Sequence, residues 1–127
     1  DGRLLVSDVG NKQVKAFTCS GRPAHLLDQR DEARFSVPMG IAYDNLPSPR
    51  LVALADSIFN PSGIYHQGRI HVVDTKQANV KVFDALGNYV FTYGQELQEP
   101  NGIAIDTSRK VIFVADAELH SIVMYRY

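Results

Sequence analysis

The side chains that could carry chemistry in this chain are its histidines and the aspartates that end apolar runs. No two histidines have the His-x-x-x-His spacing of a zinc site. They are His25, His66, His71 and His120. The sequence also has no nucleophile elbow, no phosphate-binding glycine loop and no pair of catalytic carboxylates. None of the common catalytic motifs is therefore present.

Three aspartates, Asp8, Asp74 and Asp116, each close a short apolar run. In every copy a β-branched residue follows six positions later and an aromatic residue nine positions later. A carboxylate at this place can accept hydrogen bonds from the backbone N–H groups just beyond it. We therefore predict that these aspartates fasten the turn to the next strand, with a ligand role as the alternative.

The apolar runs predict strands near residues 3–8, 69–74 and 111–116. In these runs both alternating sets of side chains are largely apolar, which suits a sheet whose two faces are covered by neighbouring sheets. An isolated sheet could not bury both faces. The edges at 3–8 and 121–126 are expected to need partners.

A second phrase, Pro-x-Gly-Ile-Ala-x-Asp, stands at 38–44 and again at 100–106, upstream of a copy of the first phrase. A glycine, Gly21 or Gly87, follows four residues after the aromatic residue. One repeat is thus four short strands with turns between them. Asp74 and Asp116 are 42 residues apart, and a four-stranded unit with a period near forty is typical of a propeller blade.

These phrases together resemble the NHL repeat, with the tripartite-motif-type NHL domains nearest in style. The resemblance implies an all-β fold, a partial β-propeller of four-stranded antiparallel blades that belongs to a six-bladed ring. We place blade breaks near 37 and 99, which makes the whole of 1–127 part of one propeller. NHL repeats usually have an Asn three residues after the closing aspartate. In this chain only Asn11 matches, because Gln77 and Leu119 stand at the equivalent positions of the other repeats.

The number of blades is set by the length of the chain. The 127 residues are 45% hydrophobic and supply about three blades at about forty residues each. The chain starts at the second strand of a repeat and stops where a fourth strand should follow. We therefore expect a segment of a larger, multidomain protein, with the remaining blades coming from the same chain or from another copy.

The interval 45–67 departs from the repeat. Residues 51–56 imitate the apolar run that ends in Asp, but only Asp74 is followed at the right distances by Val80 and Phe83. We therefore interpret 45–67 as a loop inserted between the first and second strands of a blade. Such insertions are often functional, and a tolerated surface loop is the alternative.

The resemblance also indicates where ligands would bind. In the family the turn from the second to the third strand and the connection between blades share one rim of the propeller. Here those positions are 10–13, 75–79, 117–121, 28–39 and 95–101. A protein-binding surface is the leading hypothesis, in a non-catalytic scaffold. The candidate binding residues are Lys12, Arg34, Met39, Lys76, Asn79, Asn101 and His120.

The enzyme alternative is a metal-dependent hydrolase or lyase. The stretch from Pro100 to Tyr125 resembles calcium-dependent six-bladed hydrolases, in which the Asn of an Asn-Gly pair, here Asn101, binds calcium through its amide oxygen. The equivalent position in the preceding blade is Met39. The peptide-amidating lyase, an NHL-like zinc enzyme, is similar in having Leu-His at this rim, here ending in His120. Its other zinc histidines would fall at Met39 or Asn101, so we predict neither a cofactor nor a catalytic residue.

RNA binding is the further alternative, because some NHL domains bind RNA through a basic rim. The basic rim residues are few beside the acidic ones, and phosphate contacts supply much of the affinity for nucleic acid. A net charge of −1 also gives no general attraction to RNA. The single Cys19 favours a reducing compartment such as the cytoplasm, and no apolar run reaches the length of a transmembrane helix.

Overall fold

The computed structural model describes residues 3–28, 30–44 and 68–127, with the side chains of 3, 25 and 26 left aside. Every helix or strand in these ranges is a β-strand. The first three strands are β1 (Arg3–Asp8), β2 (Gln13–Thr18) and β3 (Pro23–Leu26). The next four are β4 (Pro38–Asp44), β5 (Arg69–Asp74), β6 (Asn79–Asp84) and β7 (Tyr89–Tyr93). The last are β8 (Pro100–Asp106), β9 (Val111–Asp116) and β10 (Ser121–Arg126).

The apolar runs of the recurring phrase form β1, β5 and β9, with the bounds that the sequence predicts. In each of these strands the closing aspartate is the last residue. The turn that follows ends in a residue with a left-handed backbone, namely Lys12, Ala78 or His120, whose φ values are 56°, 53° and 48°. The repeated phrase therefore encodes a repeated strand and turn.

The strands pair antiparallel, each with its neighbour in sequence, into three sheets. The first sheet is β1-β2-β3, the second is β4-β5-β6-β7 and the third is β8-β9-β10. The second sheet begins at Pro38 and the third at Pro100, next to the breaks placed near 37 and 99. The all-β prediction is confirmed, and the described residues form an open stack of three sheets.

Two apolar layers hold the stack together. The layer between the first and second sheets contains Val14, Leu27, Ala33, Phe35, Ile70, Val72 and Phe83. The layer between the second and third sheets contains Val73, Val80, Leu97, Ile112 and Val114. Burial of these side chains is the main stabilising contribution to the stack.

Each sheet has a front face and a back face. We define them by counting back from the closing aspartate in β1, β5 and β9. The front face carries the residues four and two positions before it, such as Ile70 and Val72 in β5. The back face carries those three and one positions before it, such as His71 and Val73. The back face of one sheet packs on the front face of the next at both junctions.

Among the three sheets of the described residues, only the second is covered on both faces. In β5 the five residues from Ile70 to Asp74 are all buried. In β1, by contrast, Leu4 and Val6 of the front face are exposed, and in β9 Phe113 of the back face is exposed. The prediction of two covered faces is thus confirmed for the strand at 69–74. Within the described residues the sheets that contain the strands at 3–8 and 111–116 each have one neighbour and one covered face, so for these strands it stays a prediction.

The predicted insertion at 45–67 lies outside the described residues, so its role stays a prediction. Within the described part of the chain, no helix has the length and apolarity needed to cross a membrane.

Candidate functional site

The closing aspartates fasten the turns as predicted. The backbone N–H of the residue three positions later donates to a carboxylate oxygen in all three repeats. The N···O distance is 3.1 Å from Asn11 to Asp8, from Gln77 to Asp74 and from Leu119 to Asp116. The turn-fastening prediction is therefore confirmed for each aspartate.

Two of these carboxylates also bind the connection that enters their own sheet. Asp74 accepts hydrogen bonds from the backbone N–H groups of Ser36 at 2.6 Å and Val37 at 3.0 Å. Asp116 accepts equivalent bonds from Gln98 at 2.8 Å and Glu99 at 3.0 Å. We call this double contact the aspartate clasp. It joins the turn between the second and third strands to the connection before the first strand.

Sequence reasoning missed the clasp, although a signal for it was present. The clasped pairs, Ser36-Val37 and Gln98-Glu99, stand directly before Pro38 and Pro100, so they share one place in the repeat. The local turn explains only the hydrogen bond that the aspartate accepts from the residue three positions after it. The second contact spans 37 or more residues for Asp74, and only the arrangement of strands in the sheet brings these groups together.

In the second and third sheets, further hydrogen bonds beside the clasp hold the rim turn against the connection that precedes the first strand. Thr75 N–H donates to the Val37 carbonyl at 3.0 Å, and Ala117 N–H donates to the Glu99 carbonyl at 2.9 Å. The Gln77 side-chain amide donates to the Arg34 carbonyl at 2.8 Å. Backbone and carboxylate groups therefore hold the rim turns and connections in fixed positions.

Neighbouring donors lower the pKa of two closing aspartates, Asp8 and Asp116. The Lys15 ammonium lies 2.6 Å from Asp8 and, with hydrogen bonds from Asn11, holds the pKa of Asp8 at about 2. Burial opposes ionisation of Asp116, but the backbone N–H groups of its clasp and turn outweigh this and lower its pKa. Both groups are carboxylates at neutral pH, and their oxygens are occupied by N–H donors. The ligand alternative for them is therefore not supported.

A buried lysine stands seven residues after Asp74. Lys81 is 2% exposed on the front face of the second sheet. Its ammonium donates to the side-chain oxygen of Gln77 at 2.7 Å and to that of Asn79 at 3.3 Å. Burial lowers its pKa, and the nearby charge of Asp74 opposes that shift. In the sequence, Lys81 is equivalent to Lys15, which stands seven residues after Asp8. Lys81 is buried and Lys15 is not, and this difference arises from the stacking of the sheets.

His71 lies on the back face of the second sheet and is buried. Its Nδ1 is 3.2 Å from the Tyr93 hydroxyl, and its Nε2 has no hydrogen-bond partner. Burial, with the charge of Arg69, lowers the pKa of His71 to about 4. His71 is therefore a packed histidine between sheets, and its ring is neutral at physiological pH.

The basic candidates of the rim are exposed. Lys12, Lys76 and His120 lie in the turns after β1, β5 and β9. Arg34 lies in the connection before β4, and its guanidinium is 3.3 Å from the Asp31 carboxylate, with both side chains mostly exposed. These four side chains are available to a partner, although Arg34 is partly neutralised.

The other candidates lie in or next to the strands. Met39 is 43% exposed and its carbonyl accepts a hydrogen bond from the Ser7 hydroxyl at 3.1 Å. Asn79 is half-buried and accepts from Lys81. Asn101 is half-buried, and its amide donates to the Glu99 carbonyl at 3.2 Å while its oxygen lies 3.4 Å from the Thr75 hydroxyl. Asn79 and Asn101 therefore contribute to the structure of the rim.

The described residues do not fit a calcium or zinc site. They contain no cluster of three or more His, Cys, Asp or Glu side chains that could hold a metal ion. The amide of Asn101 contacts protein groups on both sides, whereas calcium takes six to eight oxygen ligands.

A scan of the chain against models of known protein families gives no match. A search of curated proteins likewise finds no significantly similar relative.

Proposed function

We propose that this chain is part of an NHL-type β-propeller whose rim binds protein partners without catalysis. Three features support the propeller. The second sheet has four antiparallel strands in sequence order and lies between two other sheets. The strands, turns and clasps recur with the repeat. At the junction of the second and third sheets, the first strands β4 and β8 also lie in backbone contact, as the inner strands of neighbouring blades do.

Two contacts describe the junction of the second and third sheets. A Cβ atom added at Gly40 of β4 would lie 2.6 Å from the backbone oxygen of Asn101 in β8, so these first strands touch through their backbones. Farther out, the rings of Tyr93 in β7 and Tyr125 in β10 stand between the same two sheets, with centroids 4.9 Å apart. The sheets are therefore closest at β4 and β8.

The observation that carries the binding function is that exposed rim side chains stand on turns whose backbone N–H groups are hydrogen-bonded to carboxylates. Lys12, Lys76 and His120 stand at turns whose backbones are held by the carboxylates of Asp8, Asp74 and Asp116. A rigid site loses little conformational entropy when a partner binds.

The experiment compares two double variants in a quantitative pull-down with cross-linking. The rim variant is Lys12→Glu with Lys76→Glu. The control is Arg22→Glu with Lys110→Glu, two exposed residues in turns at the opposite end of the sheets. Lys12 and Lys110 are closely matched because both have left-handed backbones, with φ of 56° and 53°.

We expect a protein that cross-links to the rim of the unmodified chain, is retained by the control variant and is lost by the rim variant. Equal binding to both variants would refute the rim as the binding surface. A partner that disappears on nuclease treatment would instead favour the RNA alternative. Binding to RNA should in addition weaken steeply as the salt concentration rises.

A further inference from the structure

The junction of the second and third sheets contains a buried polar atom that has no partner within the described residues. His71 is 3% exposed on the back face of the second sheet, and its Nε2 makes no hydrogen bond there. The equivalent residues of the other two repeats are apolar, namely Leu5 and Phe113. A buried polar atom without a partner costs free energy that an apolar side chain would not cost. Packing alone therefore does not explain a histidine at this place.

A series of contacts runs from His71 to the rim. Its Nδ1 lies 3.2 Å from the Tyr93 hydroxyl, and the Tyr93 ring meets the Tyr125 ring edge to face, with centroids 4.9 Å apart. The Tyr125 hydroxyl donates to the Glu96 carboxylate at 2.6 Å. Glu96 and the buried Leu97 belong to the connection between β7 and β8. Two aromatic rings thus join the histidine to a connection that lies at the rim.

A proton on His71 would have no acceptor for its second N–H group. Both ring nitrogens of a protonated histidine are donors, and only Nδ1 has a partner among the described residues. Burial, followed by the charge of Arg69 on the same strand, opposes the protonated form and lowers the pKa of His71 to about 4. The other buried cation of this sheet, Lys81, lies on the opposite face.

The remaining titratable groups of the junction do not compensate a charge on His71. Burial raises the pKa of Tyr93, Tyr125 and Tyr127, so these phenols are neutral. The carboxylates on the strands and connection of this junction each accept a hydrogen bond from another described group. They are Asp44, Asp74, Asp84, Glu96, Asp106 and Asp116.

We propose that this junction is an acid-opened joint, in which uptake of a proton by His71 separates the second sheet from the third while the first and second sheets stay together. The first junction stays closed because its apolar layer lies on the front face of the second sheet, opposite His71. The connection that carries Leu97 moves with the third sheet, because the clasp of Asp116 holds Gln98 and Glu99. Acid therefore moves one part of the rim relative to the rest. The effect on partner binding rests on the proposed function, whereas the opening itself does not.

The direction of the pH effect follows from the two states of the joint. In the closed joint the pKa of His71 is about 4, and in the open joint the ring is in water and has its ordinary pKa of 6.5. The open state binds the extra proton, so it gains population as pH falls below 6.5, and the gain ends near pH 4. Between about pH 7 and about pH 4.5 the equilibrium constant for opening should rise about fiftyfold. The closing aspartates Asp8 and Asp116 do not cause this rise, because their lowered pKa keeps them ionised over this range.

Thiol labelling at two buried valines measures the opening of each junction separately. Val114→Cys places a thiol in the layer between the second and third sheets, and Val14→Cys places one in the layer between the first and second. Both valines are 0% exposed. The exposed Cys19 is replaced by serine in every variant. Labelling rates with a dipyridyl disulfide at neutral and acid pH are divided by those of an unstructured peptide, which removes the intrinsic pH dependence of the thiol.

We expect protection at position 114 to fall about fiftyfold from about pH 7 to about pH 4.5, and protection at position 14 to stay unchanged. The fall should disappear in His71→Leu and in His71→Phe, which introduce the residues that the other two repeats have at this place. It should persist in His120→Gln, the control for an exposed histidine.

Either of two results would overturn the proposal. One is an equal fall in protection at both positions, because this would mean that the whole fold opens. The other is protection at position 114 that does not fall, or whose fall persists when His71 is replaced. No partner takes part in these measurements, so the rim variants remain a separate test of the proposed function.

Discussion

Replacement of Gly40 by alanine should destabilise the junction between the second and third sheets. A Cβ atom at Gly40 would lie 2.6 Å from the Asn101 oxygen, 3.2 Å from the Ile103 nitrogen and 3.3 Å from the Gly102 Cα. All three atoms belong to the backbone of β8, so no side chain can move aside. We expect a loss of about 1–3 kcal/mol in the free energy of unfolding, as for other overpacked sites.

The repeat supplies the matched control, Gly102→Ala. Gly102 has the same neighbours in sequence as Gly40, but a Cβ atom there would meet only the Ala115 Cβ, at 3.7 Å. Neither glycine has a positive φ, so alanine at Gly102 should stabilise the fold by roughly 0.4–1 kcal/mol through the unfolded chain. The two variants should then differ by about 1.4–4 kcal/mol in the free energy of unfolding.

Thermal and denaturant unfolding measure this difference. For a chain of this length about 2 kcal/mol corresponds to a difference of roughly 6–10 °C in Tm. Equal effects of Gly40→Ala and Gly102→Ala would refute the close approach of β4 and β8.

Three further predictions, with four substitutions, test the described contacts. Asp74→Ala should cost about 3–5 kcal/mol in denaturant unfolding, because three backbone N–H groups lose their acceptor, and Asp8→Ala, which removes a carboxylate without a described clasp, should cost less. An equal cost for both would argue against the clasp. The stability of the unmodified protein should fall as pH drops from about 6.5 towards about 4, by about 3 kcal/mol, because the unfolded chain takes up a proton that buried His71 does not. His71→Leu should remove this part of the pH dependence, and a pH profile unchanged by the substitution would contradict the assigned pKa. Lys81→Met should change stability by no more than about 1 kcal/mol or raise it, because an apolar side chain of similar length replaces a buried charge, and a large loss would mean that the contacts of its ammonium are stabilising.

The sequence predicts the strands well because their cause is local. The recurring apolar run and closing aspartate define β1, β5 and β9 without any knowledge of the rest of the fold. The fastening of each turn is equally local, since acceptor and donor are three residues apart. These features repeat wherever the phrase repeats.

The burial and neighbours of a repeated residue depend on distant parts of the chain, so the repeat alone does not predict them. Gly40 and Gly102 stand in the same phrase, yet only Gly40 has another strand against it. Lys15 and Lys81 hold the same place after their aspartates, yet only Lys81 is buried. What differs is the position of each sheet in the stack, and that depends on contacts between distant parts of the chain.

The aspartate clasp has a consequence for the order of folding. The Asp116 clasp closes over 17 and 18 residues, whereas the Asp74 clasp closes over 37 and 38. The longer closure costs about 0.7 kcal/mol more in chain entropy, roughly a threefold slower search. The third sheet should therefore nucleate before the second, and in pulsed hydrogen exchange the amides of Gln98 and Glu99 should gain protection before those of Ser36 and Val37. On this basis the third sheet becomes native before the second, although the second precedes it in the chain.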